Sequence, residues 1–153
     1  SGYIPKEKYQ NRLSSLYQKR REHYGHPVKD LIVFARKQGK DEVGIHTAIR
    51  SLEIAMLRAS AGEAKSFLAT LCSLYRQTNS PNAVISVYDY VAKKYGQQVE
   101  TAPFLTSVSA AFMDIGDIGM ANRVKNKAFT LSGGNDIKLE AFSQRFQAET
   151  RLD

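Results

Sequence analysis

Apolar residues recur along this chain at helical intervals, and Pro and Gly interrupt them. Tyr9, Leu13, Leu16, Tyr17 and Tyr24 fall on one stripe with a period of about 3.6 residues, which predicts a helix over residues 5–24. Pro5 suits its first turn, and Gly25 with Pro27 ends it. A second helix over about 27–38 carries Leu31, Ile32, Phe34 and Ala35 and stops at Gly39. Asp41 is a natural N-cap for a third, which runs through Ile45, Ala48, Ile49, Leu52, Ala55 and Met56 to about residue 60. Further helices are predicted at about 62–78, 81–95, 101–115, 117–132 and 136–150. They are separated by Asn79-Ser80-Pro81, Gly96, Gly116 and Gly133-Gly134. Such short breaks leave little room for strands and imply antiparallel neighbours.

The pattern repeats. Leu68, Leu71, Cys72 and Tyr75 are matched by Leu105, Val108, Ser109 and Phe112, and again by Leu139, Phe142, Ser143 and Phe146. Each set reads large apolar, large apolar, small, aromatic, and the sets lie 37 and 34 residues apart. The order suits a helical hairpin: large residues fill the interface, the small one lets the partner helix approach, and the aromatic closes the groove. Ala83, Val84, Val87, Tyr88 and Val91 supply the complement in one hairpin; Ala121, Val124 and Ala128 supply it in the next. A weaker copy begins at Leu31, with Phe34 and Ala35 in register and Gln38 in place of the aromatic.

The stretch from Phe112 through Gly116-Asp117 to Ala121 resembles the middle of a tetratricopeptide or pentatricopeptide repeat. In those families an aromatic ends the first helix, Gly-Asp makes the turn, and Ala sits early in the second helix. The resemblance covers about residues 65–150 and more weakly 27–62, although the intervals depart from a strict 34 or 35 and Lys125 stands where a core aromatic is usual. It implies an all-α fold, a short right-handed solenoid of about four antiparallel hairpins. One domain is expected over 1–153, with a basic N-terminal helix at 1–26 and hairpins at 27–62, 63–100 and 101–135. A capping helix at 136–153 completes it, and a nonrepeating helical bundle is the alternative.

Composition adds a direction. Apolar residues at 42% and charged residues at 24% suit a water-soluble globular chain, and no apolar run reaches bilayer length. The net charge of +7 is confined to residues 1–40, which hold ten basic and three acidic groups; beyond them the charges cancel. A localised positive field attracts phosphates or an acidic protein surface, and equally suits a well-solvated helix. Cys72 is the single cysteine, so no intrachain disulfide is possible and an intracellular reducing compartment is expected, cytoplasm or organelle matrix. Ser1 and Gly2 read as the remnant of a cleaved tag, and the expectation is a piece of a longer chain.

Catalytic chemistry finds no foothold in the sequence. There is no Gly-rich phosphate loop, and Gly133-Gly134 reads as a helix stop. His23 and His26 lack a third ligand at matching spacing, and His46 near a helix start reads as half-buried. Cys72 occupies a packing position, and Asp114 with Asp117 reads as an acidic turn. The expectation is a binding module, not an enzyme, with no cofactor, metal, small-molecule substrate or membrane.

Two partner classes remain, together with self-association. Single-stranded RNA, bound in the pentatricopeptide manner, is read at about one base per repeat by two or three side chains. The resemblance places Thr106 at the first-helix reading position and Asp136 thirty residues later at the second. In the preceding repeat the same positions hold Ala69 and Val99 or Glu100, which is not a usual reading pair. Arg12, Lys19, Arg20, Arg21, Lys93, Lys94, Arg123 and Lys127 are the candidate phosphate contacts. Tyr9, Tyr17 and Tyr24 are candidate base-stacking residues, although their spacing favours core packing. An acidic protein or peptide in a solenoid groove is the second class. Self-association through a terminal helix is the third possibility, because Phe142 and Phe146 have no following helix to cover them.

Overall fold

A computed structural model describes residues 27–133, and all the regular structure among them is helical. The helices are α1 (Val28–Arg36), α2 (Glu42–Arg58), α3 (Ala61–Gln77), α4 (Pro81–Tyr95), α5 (Ala102–Asp114) and α6 (Ile118–Leu131). Their ends fall within two residues of the predicted ones. The helices expected at 5–24 and 136–150 lie outside the described residues, as does the third copy of the repeat pattern.

Local chemistry accounts for these boundaries. Asp41, Thr101 and Asp117 each accept a hydrogen bond from the backbone N–H three residues on, at Gly44, Phe104 and Met120 (2.9, 3.2 and 3.1 Å). Ser60 and Glu63 form a reciprocal capping box: the Glu63 N–H donates to Ser60 Oγ (3.2 Å), and the Ser60 N–H donates to Glu63 Oε1 (2.9 Å). Pro81 occupies the first turn of α4 and Pro103 that of α5, where no N–H is missed.

One element was not foreseen. Gly96 ends α4 as expected, with a left-handed φ of +67°, but the chain stays coiled in a 3-10 turn over Gly96–Val99. Val99 is the reason: it is wholly buried, so the connection must dip inward before α5 can start.

The repeat is stricter in three dimensions than in the aligned motifs. Leu68, Leu71, Cys72 and Tyr75 are all buried, and so are Leu105, Val108, Ser109 and Phe112, 37 residues on. The register continues into the second helices, where buried Val84, Val87 and Val91 correspond to buried Ala121, Val124 and Ala128. Even the turns coincide. The Ser80 N–H donates to Tyr75 O, and the Asp117 N–H to Phe112 O, each at 2.9 Å. Between them Asn79 and Gly116 adopt positive φ (56° and 84°), which is the Schellman reversal that satisfies the last carbonyls of a helix.

The chain divides into two compact units, Ser1–Phe67 and Leu68–Asp153. In the first, α1 packs on α2. Ser51 Oγ on α2 donates to Leu31 O on α1 (2.8 Å), and both residues are buried. The turn between these helices is shorter than the other two: α2 begins four residues after Gln38, whereas α4 and α6 begin six after Tyr75 and Phe112. Gly44 makes the tight turn possible, since a Cβ there would overlap the Gly39 carbonyl. In the second unit, α4 packs on α5 and α5 on α6. Buried Ser109 Oγ on α5 donates to Ala121 O on α6 (2.6 Å). The small repeat position therefore also carries a hydrogen bond across the helix pair.

Candidate nucleic-acid interface

The residues expected to meet RNA divide by position. Arg12, Lys19, Arg20, Arg21 and Asp136 lie outside the described residues, as do His23 and His26. Lys93, Lys94, Thr106, Arg123 and Lys127 are described, and they sit in distinct environments.

Lys93 is exposed in the last turn of α4 and pairs with Asp89 one turn back (3.0 Å). Such an exposed pair is screened by water and contributes little to stability. Arg123 is exposed on α6 and donates through a terminal guanidinium nitrogen to Met120 Sδ (3.5 Å). Thr106 is half-buried, and its hydroxyl donates to the Ala102 carbonyl within α5 (2.7 Å). Its donor is thereby used, while its oxygen still has an acceptor lone pair.

Lys127 is a tertiary tie. Its Nζ donates to Glu100 Oε2 (3.1 Å) and to the Tyr88 hydroxyl (3.4 Å), so it connects α6 with α4 and with the segment leading into α5. Desolvation is the largest single influence on this ammonium and lowers its pKa; the Glu100 hydrogen bond and the attraction of Tyr88 and Glu100 together outweigh it, leaving the pKa raised. The Tyr88 ring is set edge-on to both Phe104 (centroids 6.2 Å apart) and Phe112 (6.4 Å). The alternative reading positions of the preceding repeat are likewise taken up in structure: Val99 is wholly buried and Glu100 holds Lys127.

Lys94 lies in a different setting. It is exposed at the end of α4, with its Nζ 5.5 Å from the Tyr90 ring centroid and 5.3 Å from that of Tyr95. It also donates to the Tyr90 hydroxyl (3.3 Å). Slight desolvation is the largest single influence and acts downward, but hydrogen bonds and Coulombic attraction from the two tyrosines hold the ammonium above the ordinary lysine range. Sequence reasoning singled out Lys94 and passed over Tyr90 and Tyr95. The available signal was the Tyr90-to-Lys94 spacing of one helical turn, which brings the two side chains to one face.

Cys72 is wholly buried, and burial pushes its thiol pKa up to about 12. Asp117 caps α6. Among the described residues, no group of three or more His, Cys, Asp or Glu side chains gathers to hold a metal ion. No helix among them is long and apolar enough to cross a membrane. No known family model, curated protein or solved structure matches this chain.

Proposed function

We propose that this chain is a helical-repeat binding module that associates with RNA, built as a short right-handed solenoid of the tetratricopeptide or pentatricopeptide kind. The observation that carries the reading is the confinement of the whole positive excess to residues 1–40, in a chain whose repeated hairpins are otherwise balanced in charge. The 37-residue register of buried positions and turns supports the repeat architecture. Binding rests on phosphate contacts from Arg12, Lys19, Arg20 and Arg21, supplemented by Lys93, Lys94 and Arg123. Nothing in this reading calls for a catalytic step, a cofactor or a metal.

The test is fluorescence anisotropy with short single-stranded RNA over a salt series. Log affinity should fall linearly with log salt. Reversing Lys19, Arg20 and Arg21 to Glu should weaken binding to every RNA and flatten the slope. Absence of binding at low salt would remove RNA from the account.

A second reading is a scaffold that docks an acidic protein or peptide. Thr106 favours it, because its hydroxyl donates back into its own helix. Val99 favours it too, because a wholly buried side chain cannot read a base. A partner recovered by affinity capture that survives nuclease treatment, and competes with RNA for the protein, would favour the scaffold. In either reading the protein works in a reducing compartment, where Cys72 remains a thiol.

A further inference from the structure

We propose that the C-terminal end of α4 is a base-stacking site for single-stranded RNA, in which Tyr90 and Tyr95 offer ring faces and Lys94 exchanges from those rings to a phosphate. This inference rests on the RNA reading above and assigns part of the contact to residues outside the basic N-terminal segment.

Three observations converge on this end of the helix. Lys94 Nζ is gathered beside two half-buried tyrosines, 5.5 and 5.3 Å from their ring centroids, while the lysine itself is exposed. Both tyrosines are half-buried, so part of each reaches solvent, and the ammonium sits at the hydroxyl end of Tyr90 (3.3 Å). Lys93, also exposed, places a second ammonium at the same terminus, paired in the free protein with Asp89 (3.0 Å). Immediately beyond, Gly96 turns the chain with φ +67°, and Gln97 and Gln98 remain exposed while Val99 is anchored in the core. The two glutamines follow Tyr95 within three residues in the chain, and their amides can donate to and accept from base edges.

The chemistry of this cluster suits a nucleotide better than a peptide. Every base presents a π-face, so aromatic rings bind single strands with little regard to sequence. In the free protein the ammonium is held at the hydroxyl end of Tyr90, a contact that is weak where the cation is exposed. A base stacked on a ring face adds a stronger contact than that one. The ammonium then has a phosphate of the same strand within reach of its flexible stem. An acidic peptide would find the positive charge, but it would leave the flat ring faces without a matching surface.

The test uses the full chain and fluorescein-labelled twelve-nucleotide oligouridylate and oligoadenylate. Tyr90→Leu and Tyr95→Leu keep apolar bulk and remove the aromatic face. Each should weaken binding about tenfold, with an unchanged thermal melt as the check on folding. Tyr90→Phe and Tyr95→Phe should retain affinity, because phenyl rings stack as well. Lys94→Gln should reduce the salt slope by about one phosphate contact. Photo-crosslinking of a 4-thiouridine probe should map to Tyr90 or Tyr95. If the wild-type chain binds RNA but the Leu variants bind equally well and crosslinks fall elsewhere, this inference is overturned while RNA binding stands. If the wild-type chain binds no oligonucleotide, both fall. Binding of an acidic peptide that Tyr90→Leu abolishes would likewise count against a stacking site for bases.

Discussion

Lys127 Nζ sits 3.1 Å from Glu100 Oε2, twenty-seven residues earlier in the chain, and the Glu100 side chain is only 10% exposed. This ion pair, together with the Tyr88 hydroxyl, joins α6 to α4 and to the approach to α5. Removing the lysine would leave a nearly buried carboxylate without its cation. Lys127→Met should therefore destabilise the fold by about 1 kcal/mol, less than for a fully buried pair because Lys127 itself is 38% exposed and screened. Urea unfolding of the variant beside the wild type measures it. An unchanged midpoint would show that the pair contributes nothing.

The same pair makes a pH prediction. The folded-state pKa of Lys127 is raised, so its contribution is complete below the ordinary lysine pKa and is lost as pH rises through the raised value. The stability difference between wild type and Lys127→Met should stay constant from pH 6 to about 9 and shrink above about 10.5. A difference that grows in strong alkali would contradict the assignment.

Thr47 carries the opposite lesson. It is 2% exposed on α2, and its hydroxyl lacks a hydrogen-bond partner. A buried polar atom left unpaired costs about 1–3 kcal/mol. Thr47→Val replaces the hydroxyl with a methyl of similar shape and should raise stability by about 1 kcal/mol, read as a higher urea midpoint. A loss of stability would mean that the hydroxyl is satisfied in solution, as by a bound water.

Two helical glycines should respond in opposite directions to the same substitution. Gly62→Ala meets nothing within 4 Å and should stabilise by about 0.4–1 kcal/mol, by restricting the unfolded chain. Gly44→Ala would drive a methyl into the Gly39 carbonyl and should destabilise by about 1–3 kcal/mol. Thermal melts of the two variants, run together, decide whether the α1–α2 turn is as tight as described.

Cys72 should be silent towards thiol reagents in the folded protein and react on unfolding, because burial holds the thiol protonated. Its raised folded pKa also means that stability is unaffected below an ordinary thiol value near 9 and falls as pH rises from there towards about 12. Cys72→Ala should remove that part of the alkaline decline, visible as a flatter stability curve between those limits. Rapid labelling of the native protein would refute the burial argument.

The sequence by itself determined the helices between residues 27 and 133 and their ends, because capping residues, Pro and Gly act locally and the apolar period reports on a single helix at a time. It also marked much of the core: Leu68, Leu71, Cys72, Tyr75 and their counterparts Leu105, Val108, Ser109 and Phe112 are buried as the repeat pattern required, while Phe34, Ile45, Ala83 and Tyr88 are only half-buried. Only the tertiary structure decided what these positions do to one another. Ser109 looks merely small in the sequence, yet it bonds the Ala121 carbonyl of the neighbouring helix. Lys127 looked like a free phosphate contact and is instead held by Glu100 and Tyr88, while Lys94 is the cation set against aromatic rings. The 3-10 turn at Gly96–Val99 exists because Val99 must reach the core. These outcomes depend on distances between residues far apart in the chain, and a periodic pattern carries no information about which charge meets which partner.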